Sequence, residues 1–174
     1  VPGEDCIQKY YASEAYISHS NISRGLFYKT YKLVRTITLT MKKNLIRKQS
    51  GLKKGKILDI GCGSGEFLNK MKSSGWDVTG IEPDKNTRER AASKFSIDVF
   101  PSEEIFQFSE NSFDVITMWH VLEHIHRLDD YMVRIMTILK KSGVLIFALP
   151  NYKSFDASYY KQYWDGYDVP RHLY

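Results

Sequence analysis

The sequence predicts an α/β fold built on a parallel sheet. Apolar runs of strand length alternate with helix-periodic segments from Lys56 onward, and a glycine-rich turn joins the first run to the first helix. Strands and helices that alternate in this way place helices on both faces of the sheet, since each right-handed crossover must pack back onto it.

The first strand is Lys56-Ile57-Leu58-Asp59-Ile60. After the turn, Phe67, Leu68 and Met71 keep helical spacing up to Gly75, a residue suited to a left-handed C-cap. Val78-Thr79-Gly80-Ile81 is the second strand, and Asp84 is placed to cap a helix that runs through Lys94. Residues 97–100 form a short strand stopped by Pro101, and residues 113–118 form a fourth, buried one. Leu122, Ile125, Leu128, Met132, Ile135, Met136 and Leu139 recur at steps of three and four, which predicts an amphipathic helix over 121–139. Lys140-Lys141-Ser142-Gly143 is expected to end that helix with positive charge and glycine, and residues 144–149 supply a fifth strand.

The turn Gly61-Cys62-Gly63-Ser64-Gly65 carries the chemistry. Glycine tolerates positive φ and lets backbone approach a ligand closely, while the helix that follows sets its amides against whatever binds. Asp59 sits at the end of the first strand and Glu82 at the end of the second. An acid about 20 residues beyond such a loop is where a fold of this type grips ribose hydroxyls. A dinucleotide site needs G-x-G-x-x-G, and the place of its third glycine holds Glu66; no Gly-Lys-Ser/Thr follows, so a P-loop is excluded.

Asp59-Ile60-Gly61-Cys62-Gly63-Ser64-Gly65 resembles the first motif of class I S-adenosylmethionine-dependent methyltransferases. Ser112-Phe113-Asp114-Val115-Ile116 with Leu122-Glu123-His124-Ile125, and Leu139-Lys140-Lys141-Ser142-Gly143-Val144-Leu145, are similar to that family's fourth strand and to the start of its fifth. The resemblance covers about residues 56–151 and is nearest to small-molecule methyltransferases of ubiquinone-biosynthesis type. It implies a Rossmann-like three-layer sandwich with a mostly parallel sheet in the order 3-2-1-4-5. It also implies S-adenosyl-L-methionine as cofactor and S-adenosyl-L-homocysteine as product. Asp59, Gly61, Cys62, Gly63 and Gly65 would hold its methionine part, and Glu82 with Pro83 its ribose. Ser102 and Glu103 fall where relatives contact the adenine amine, and Trp119 and His120, after the fourth strand, would line the pocket, Trp119 on its adenine side. Relatives continue with a further helix and two strands, so the chain is expected to lack the last strands of the family fold. Residues 1–55 then read as a helical cap or lid, 56–151 as the cofactor-binding core, and 152–174 as the start of a truncated substrate-side segment.

Composition fits one core in a reducing compartment. The 174 residues are 43% hydrophobic and hold only Cys6 and Cys62. A structural disulfide is not expected, two thiols cannot hold an iron-sulfur cluster of the radical type, and no run has the length of a membrane span or the pattern of a signal peptide. A cytoplasmic location is expected. The net charge of +5 comes from residues 24–56, which hold 11 of the 25 basic residues and no acid. There Phe27, Tyr31, Val34, Ile37, Met41 and Leu45 keep helical spacing, so the apolar stripe is expected to pack on the core with the lysines solvated. Aromatic residues among the basic ones keep an RNA-associated module as the alternative, and Tyr10, Tyr11 and Tyr16 point to a lid over residues 7–30.

A sulfonium methyl needs only a nucleophile held in line and water kept out. The sequence therefore predicts methyl transfer to a hydroxyl or amine of a small acceptor, the alternative being a non-catalytic cofactor-binding or RNA-associated domain. A general base would add roughly 3 to 5 kcal/mol of barrier lowering for a hydroxyl. Candidates lie after the fourth and fifth strands, where Trp119 and His120, and Pro150, Asn151 and Tyr152, stand. His120 is the first candidate base and His172 the second, with Arg171 placed to orient an anionic acceptor or to join a turn salt-bridged through Asp168. His120-Val121-Leu122-Glu123-His124 also spells H-x-x-E-H. Ubiquinone-type relatives show Glu-x-x-Glu-His there, but the site is read without a metal, Glu123 and His124 serving a structural hydrogen bond.

Overall fold

The computed structural model describes residues 26–169, 172 and 173. A long helix, α1 (Leu26–Ser50), precedes β1 (Lys56–Ile60), α2 (Glu66–Lys72), β2 (Asp77–Ile81), α3 (Lys85–Phe95) and β3 (Asp98–Phe100). The second half runs β4 (Phe113–Trp119), α4 (Leu128–Ile138), β5 (Leu139–Ala148) and α5 (Phe155–Tyr160). All strand pairs are parallel and the sheet order is β3-β2-β1-β4-β5, as the family resemblance implies.

Alternation along β1 and β4 sends side chains to two cores, one on each face. Ile57 and Val115 join Phe67, Leu68, Met71, Trp76 and Ile46 on the face that carries α1 and α2. Leu58, Ile60, Ile116 and Met118 join Ile105, Ile135 and Ile138 on the face that carries α4. Asp84 caps α3 as expected, its side chain accepting from the Thr87 amide. Both faces of the central strands are therefore dry, and sheets of this kind take their ligands at the carboxyl edge.

Three expectations are corrected. The helix predicted over 121–139 is two pieces, a 3₁₀ turn at Leu122–His124 and α4 from Leu128. Its end is set at Ile138, where the amides of Asn111 and Ser112 reach the carbonyls of Thr137 and Ile138 at 3.0 and 2.8 Å. Those external donors satisfy the last helical carbonyls, so no glycine cap is needed. Lys140-Lys141-Ser142-Gly143 accordingly lies inside β5, as an irregularity between the pairs Phe113–Leu139 and Val115–Val144. Lys140 there reaches Asp114, which also accepts from the Lys56 amide, both at 2.8 Å, pinning the starts of β1, β4 and β5 together.

The third correction concerns α1. Its stripe of Tyr31, Val34, Ile37, Met41 and Leu45 faces outward, with Val34 61% and Met41 66% exposed. The inward face is the mixed series Arg35, Leu39, Lys42 and Ile46, at steps of four, three and four. Apolar periodicity alone does not choose the buried face here, because Arg35 and Lys42 meet carboxylates and aromatic rings on the core that the sequence pattern does not display. The lid residues 7–25, including Tyr10, Tyr11 and Tyr16, lie outside the described residues. No described helix is long and apolar enough to cross a membrane.

Candidate functional site at the carboxyl edge of the sheet

The glycine turn folds over the end of β2. The amides of Gly61 and Cys62 both donate to the Ile81 carbonyl, at 2.8 and 2.9 Å, and Gly61, Gly63 and Gly65 have φ of 71°, 52° and 73°. Close approach is what these positions require. A Cβ on Gly61 would lie 2.4 Å from Val121, and one on Gly80, beneath the turn, 2.7 Å from the Cys62 sulfur. At Gly63 nothing stands within 4 Å of a Cβ position, so the turn is tight underneath and open above. That opening is where a ligand can lie against the backbone.

Glu82 is tied to this turn. Its Oε2 accepts from the Gly63 amide at 2.9 Å and its Oε1 from the Asp84 amide at 3.0 Å. Burial raises its pKa, and these two amide bonds act against the shift. Asp59 is buried beneath the turn and accepts from the Thr117 hydroxyl at 2.6 Å. Burial pushes its pKa up to about 7, opposed by Thr117 and by the Lys42 ammonium and reinforced by Glu82. Cys62 is buried, and its thiol is driven well above the ordinary value by burial, with Asp59 and Glu82 adding to the effect. It is a neutral packing residue in this state.

Ser102 and Glu103 open the 3₁₀ turn that follows β3, at the same edge, where the Glu82 amide donates to the Phe100 carbonyl at 3.0 Å. Pro83 is exposed, and its carbonyl accepts from Arg88. Trp119 ends β4, separated from β3 by β2 and β1. Its ring meets Phe67 edge to face at 5.8 Å and lies under the Lys42 ammonium at 4.2 Å. The structure thus sets Trp119 on the α1 and α2 side, away from Ser102 and Glu103.

His120 follows directly, in a left-handed conformation with φ of 58°. A non-glycine residue held there costs of order 1 kcal/mol, and such strain gathers at functional positions. Its amide donates to the Ala148 carbonyl at 3.0 Å, which fixes the turn against the end of β5. The imidazole is 64% exposed, with Nδ1 3.7 Å from Glu123 Oε1. It caps neither the 3₁₀ turn, whose N-cap is Val121, nor α4, which begins at Leu128.

Behind it stands a group that the motif only partly announced. Glu123 is 3% exposed, and neither carboxylate oxygen has a hydrogen-bond partner among the described residues. The expected structural hydrogen bond to this carboxylate is therefore not made there. His172 comes from the far end of the chain, its ring 4.8 Å from that of His124, its Nδ1 2.8 Å from the Gly166 carbonyl and its Nε2 3.7 Å from Asp168. The Leu173 amide donates to the Glu123 carbonyl at 2.8 Å, which holds this tail on the turn. Glu123, His124 and His172 each offer a ligand atom, all within 4.8 Å of one another. Arg171 lies outside the described residues.

Residues 33–173 match the profile of the family described as Methyltransferase domain. The ubiquinone biosynthesis O-methyltransferase of Pelagibacter ubique (strain HTCC1062) is 32% identical over 105 residues, 58% of this chain and 44% of that protein. The enzyme of the same description from Actinobacillus pleuropneumoniae serotype 5b (strain L20) is 35% identical over 117 residues, 60% of this chain and 50% of that protein. The chain spans about half the length of these curated relatives. Among solved structures, a SAM-dependent methyltransferase from Archaeoglobus fulgidus superposes with a TM-score of 0.60 at 25% identity, covering 77% of this chain and 61% of that one.

Proposed function

Because the chain belongs to the methyltransferase-domain family, as a class I S-adenosylmethionine-dependent methyltransferase, we propose that it methylates a hydroxyl or amine of a small-molecule acceptor. The observation that supports this most is the hydrogen bond from Gly63 to Glu82, which joins the glycine turn and the acid into one preorganised cradle. The open face of Gly63 leaves room for the cofactor's backbone-facing part. When bound, the cofactor supplies an electrophilic sulfonium methyl.

The chain's own residues do the rest. The turn and Asp59 would hold the amino-acid end of the cofactor, Glu82 its ribose, and Ser102 with Glu103 its base. Trp119 and Phe67 wall the α1 side and exclude water, which strengthens every charge contact within. His120, presented at the edge by a strained turn, would take the proton of an acceptor hydroxyl. His172 is the second candidate base, but its Nδ1 is already engaged by Gly166.

A second reading follows from the Glu123 carboxylate, which accepts no hydrogen bond among the described residues. With His124 and His172 it matches the imidazole-carboxylate set that suits divalent transition metals. An ion held there would lower the pKa of an acceptor hydroxyl. Zinc or manganese should then raise the melting temperature of the native chain and leave that of Glu123→Ala unmoved; equal responses would discard this reading.

Calorimetry tests the main one. S-adenosylhomocysteine should bind and NAD should not; binding of NAD alone would overturn the proposal. In a protein supplied with its acceptor, His120→Ala should retain cofactor affinity and lose about 10²-fold in turnover. A variant with native turnover and weakened cofactor binding would instead make His120 part of the cofactor pocket.

A further inference from the structure

Helix α1 turns its apolar stripe away from the core. Leu33, Val34 and Met41 are 62%, 61% and 66% exposed, and Ile37 and Leu45 line up with them at steps of three and four. The helix is 25 residues long, so the stripe follows most of a rod of about 37 Å. Aliphatic side chains in one unbroken line on a surface mark a binding face. Charge identifies the chemistry of what binds. Lys29, Lys32, Arg47 and Lys48 are exposed on the same helix, and Lys53 and Lys54 are exposed just after it. No acid occurs among residues 26–58, and the first that follows, Asp59, is buried. Lys29 and Arg47 stand about five turns apart along one border of the stripe, and Lys48 closes its C-terminal end.

This face fits an anionic lipid surface. We propose that α1 lies flat in the interfacial layer of an anionic membrane, with its stripe against the acyl boundary and its cations against the headgroups. An apolar line bordered by cations, on a helix not apolar enough to cross, is the pattern of an interfacial helix. Lysine stems let the ammonium groups stay at headgroup level while the stripe beside them is buried. Two other occupants fit less well. Single-stranded nucleic acid is held by stacking rings, and among the described side chains of the stripe only Tyr31 is aromatic. A second copy of the chain would set one acid-free basic helix against another, which their charges oppose. On the inward side Ile46 is buried in the core and Arg35 pairs with Glu66, so the helix can meet a surface without leaving the fold.

Co-sedimentation of the full chain with two kinds of vesicle tests the proposal. Vesicles of equal parts phosphatidylglycerol and phosphatidylcholine should bind it, and vesicles of phosphatidylcholine alone should bind at least about tenfold less. Ile37→Gln with Met41→Gln keeps the charge and much of the helix propensity, and should weaken binding to the anionic vesicles by about tenfold or more. Arg47→Gln with Lys48→Gln should weaken it by a similar factor and flatten its dependence on salt. All four side chains are exposed, so both variants should fold as the native chain does, which circular dichroism checks. Val133→Gln, equally exposed on α4 at the opposite face of the sheet, should bind as the native chain does. A native chain that ignores anionic vesicles would overturn the proposal, as would binding that the Ile37 and Met41 variant leaves unchanged. Capture of polyuridylate without vesicle binding, or a dimer that this variant dissolves without vesicle binding, would give the face to RNA or to a second copy and overturn it as well.

Discussion

Replacing Glu82 should damage the fold and the site together, because one carboxylate serves both. Its two oxygens accept from the amides of Gly63 and Asp84 at 2.9 and 3.0 Å, in a place from which water is largely absent. A hydrogen bond to a charged group contributes about 1.5 to 3 kcal/mol, so Glu82→Ala, which orphans both amides, should cost roughly 3 to 5 kcal/mol. For a chain of this size that is a fall of about 10 °C or more in melting temperature. Glu82→Gln keeps one acceptor and turns an NH₂ toward the other amide, so about half the loss is expected, roughly 2 kcal/mol. Chemical denaturation of the three proteins orders them as native, Gln, Ala. The same carboxylate is the ribose ligand in the cofactor reading, so S-adenosylhomocysteine should bind Glu82→Gln about 10- to 100-fold more weakly by calorimetry. Two variants as stable as the native chain would refute the idea that Glu82 organises the turn. Native stability with lost affinity would confine Glu82 to the ligand, and lost stability with native affinity would confine it to the fold.

Asp59 makes stability depend on pH. Its folded pKa of about 7 lies above the ordinary 3.8, so the folded state holds the proton more tightly, and this stabilising contribution is full below pH 4 and lost as pH rises toward and through 7. Asp59→Asn should flatten that slope and gain up to about 4 kcal/mol over the native chain at pH 8, read by denaturant titration at pH 5 and pH 8; parallel curves would refute it. The glycines of the turn should separate by what lies beneath them. Gly61→Ala combines positive φ with a 2.4 Å contact to Val121 and should cost about 3 kcal/mol, whereas Gly63→Ala has only its φ to pay and should cost about 1 kcal/mol, both by thermal unfolding.

Much of the molecule is written in local sequence, and the parts that are share a cause. The strands at Lys56–Ile60 and Phe113–Trp119 are buried on both faces, so their apolar runs need no partner to be recognised. The glycine turn and the acid after β2 are equally visible, since a tight turn demands glycine wherever it occurs and the crossover helix sets the spacing between the two. The Asp84 cap is a local hydrogen bond and was predictable for the same reason. What depends on contacts between distant segments was not. The end of α4 is set by amides of residues 111 and 112, brought there by β4. The inward face of α1 is chosen by Asp59, Glu66 and the rings of Phe67 and Trp119, so Lys42 reads in sequence as one more solvated lysine. Likewise His172 lies 48 positions from His124 in the chain, and only the return of the tail onto the turn after β4 brings their rings together. Sequence determined the sheet and the cradle, because hydrophobic period and turn chemistry act over a few residues. Tertiary structure decided which charges face that cradle, because an electrostatic partner is defined by distance in space and leaves no period in the chain.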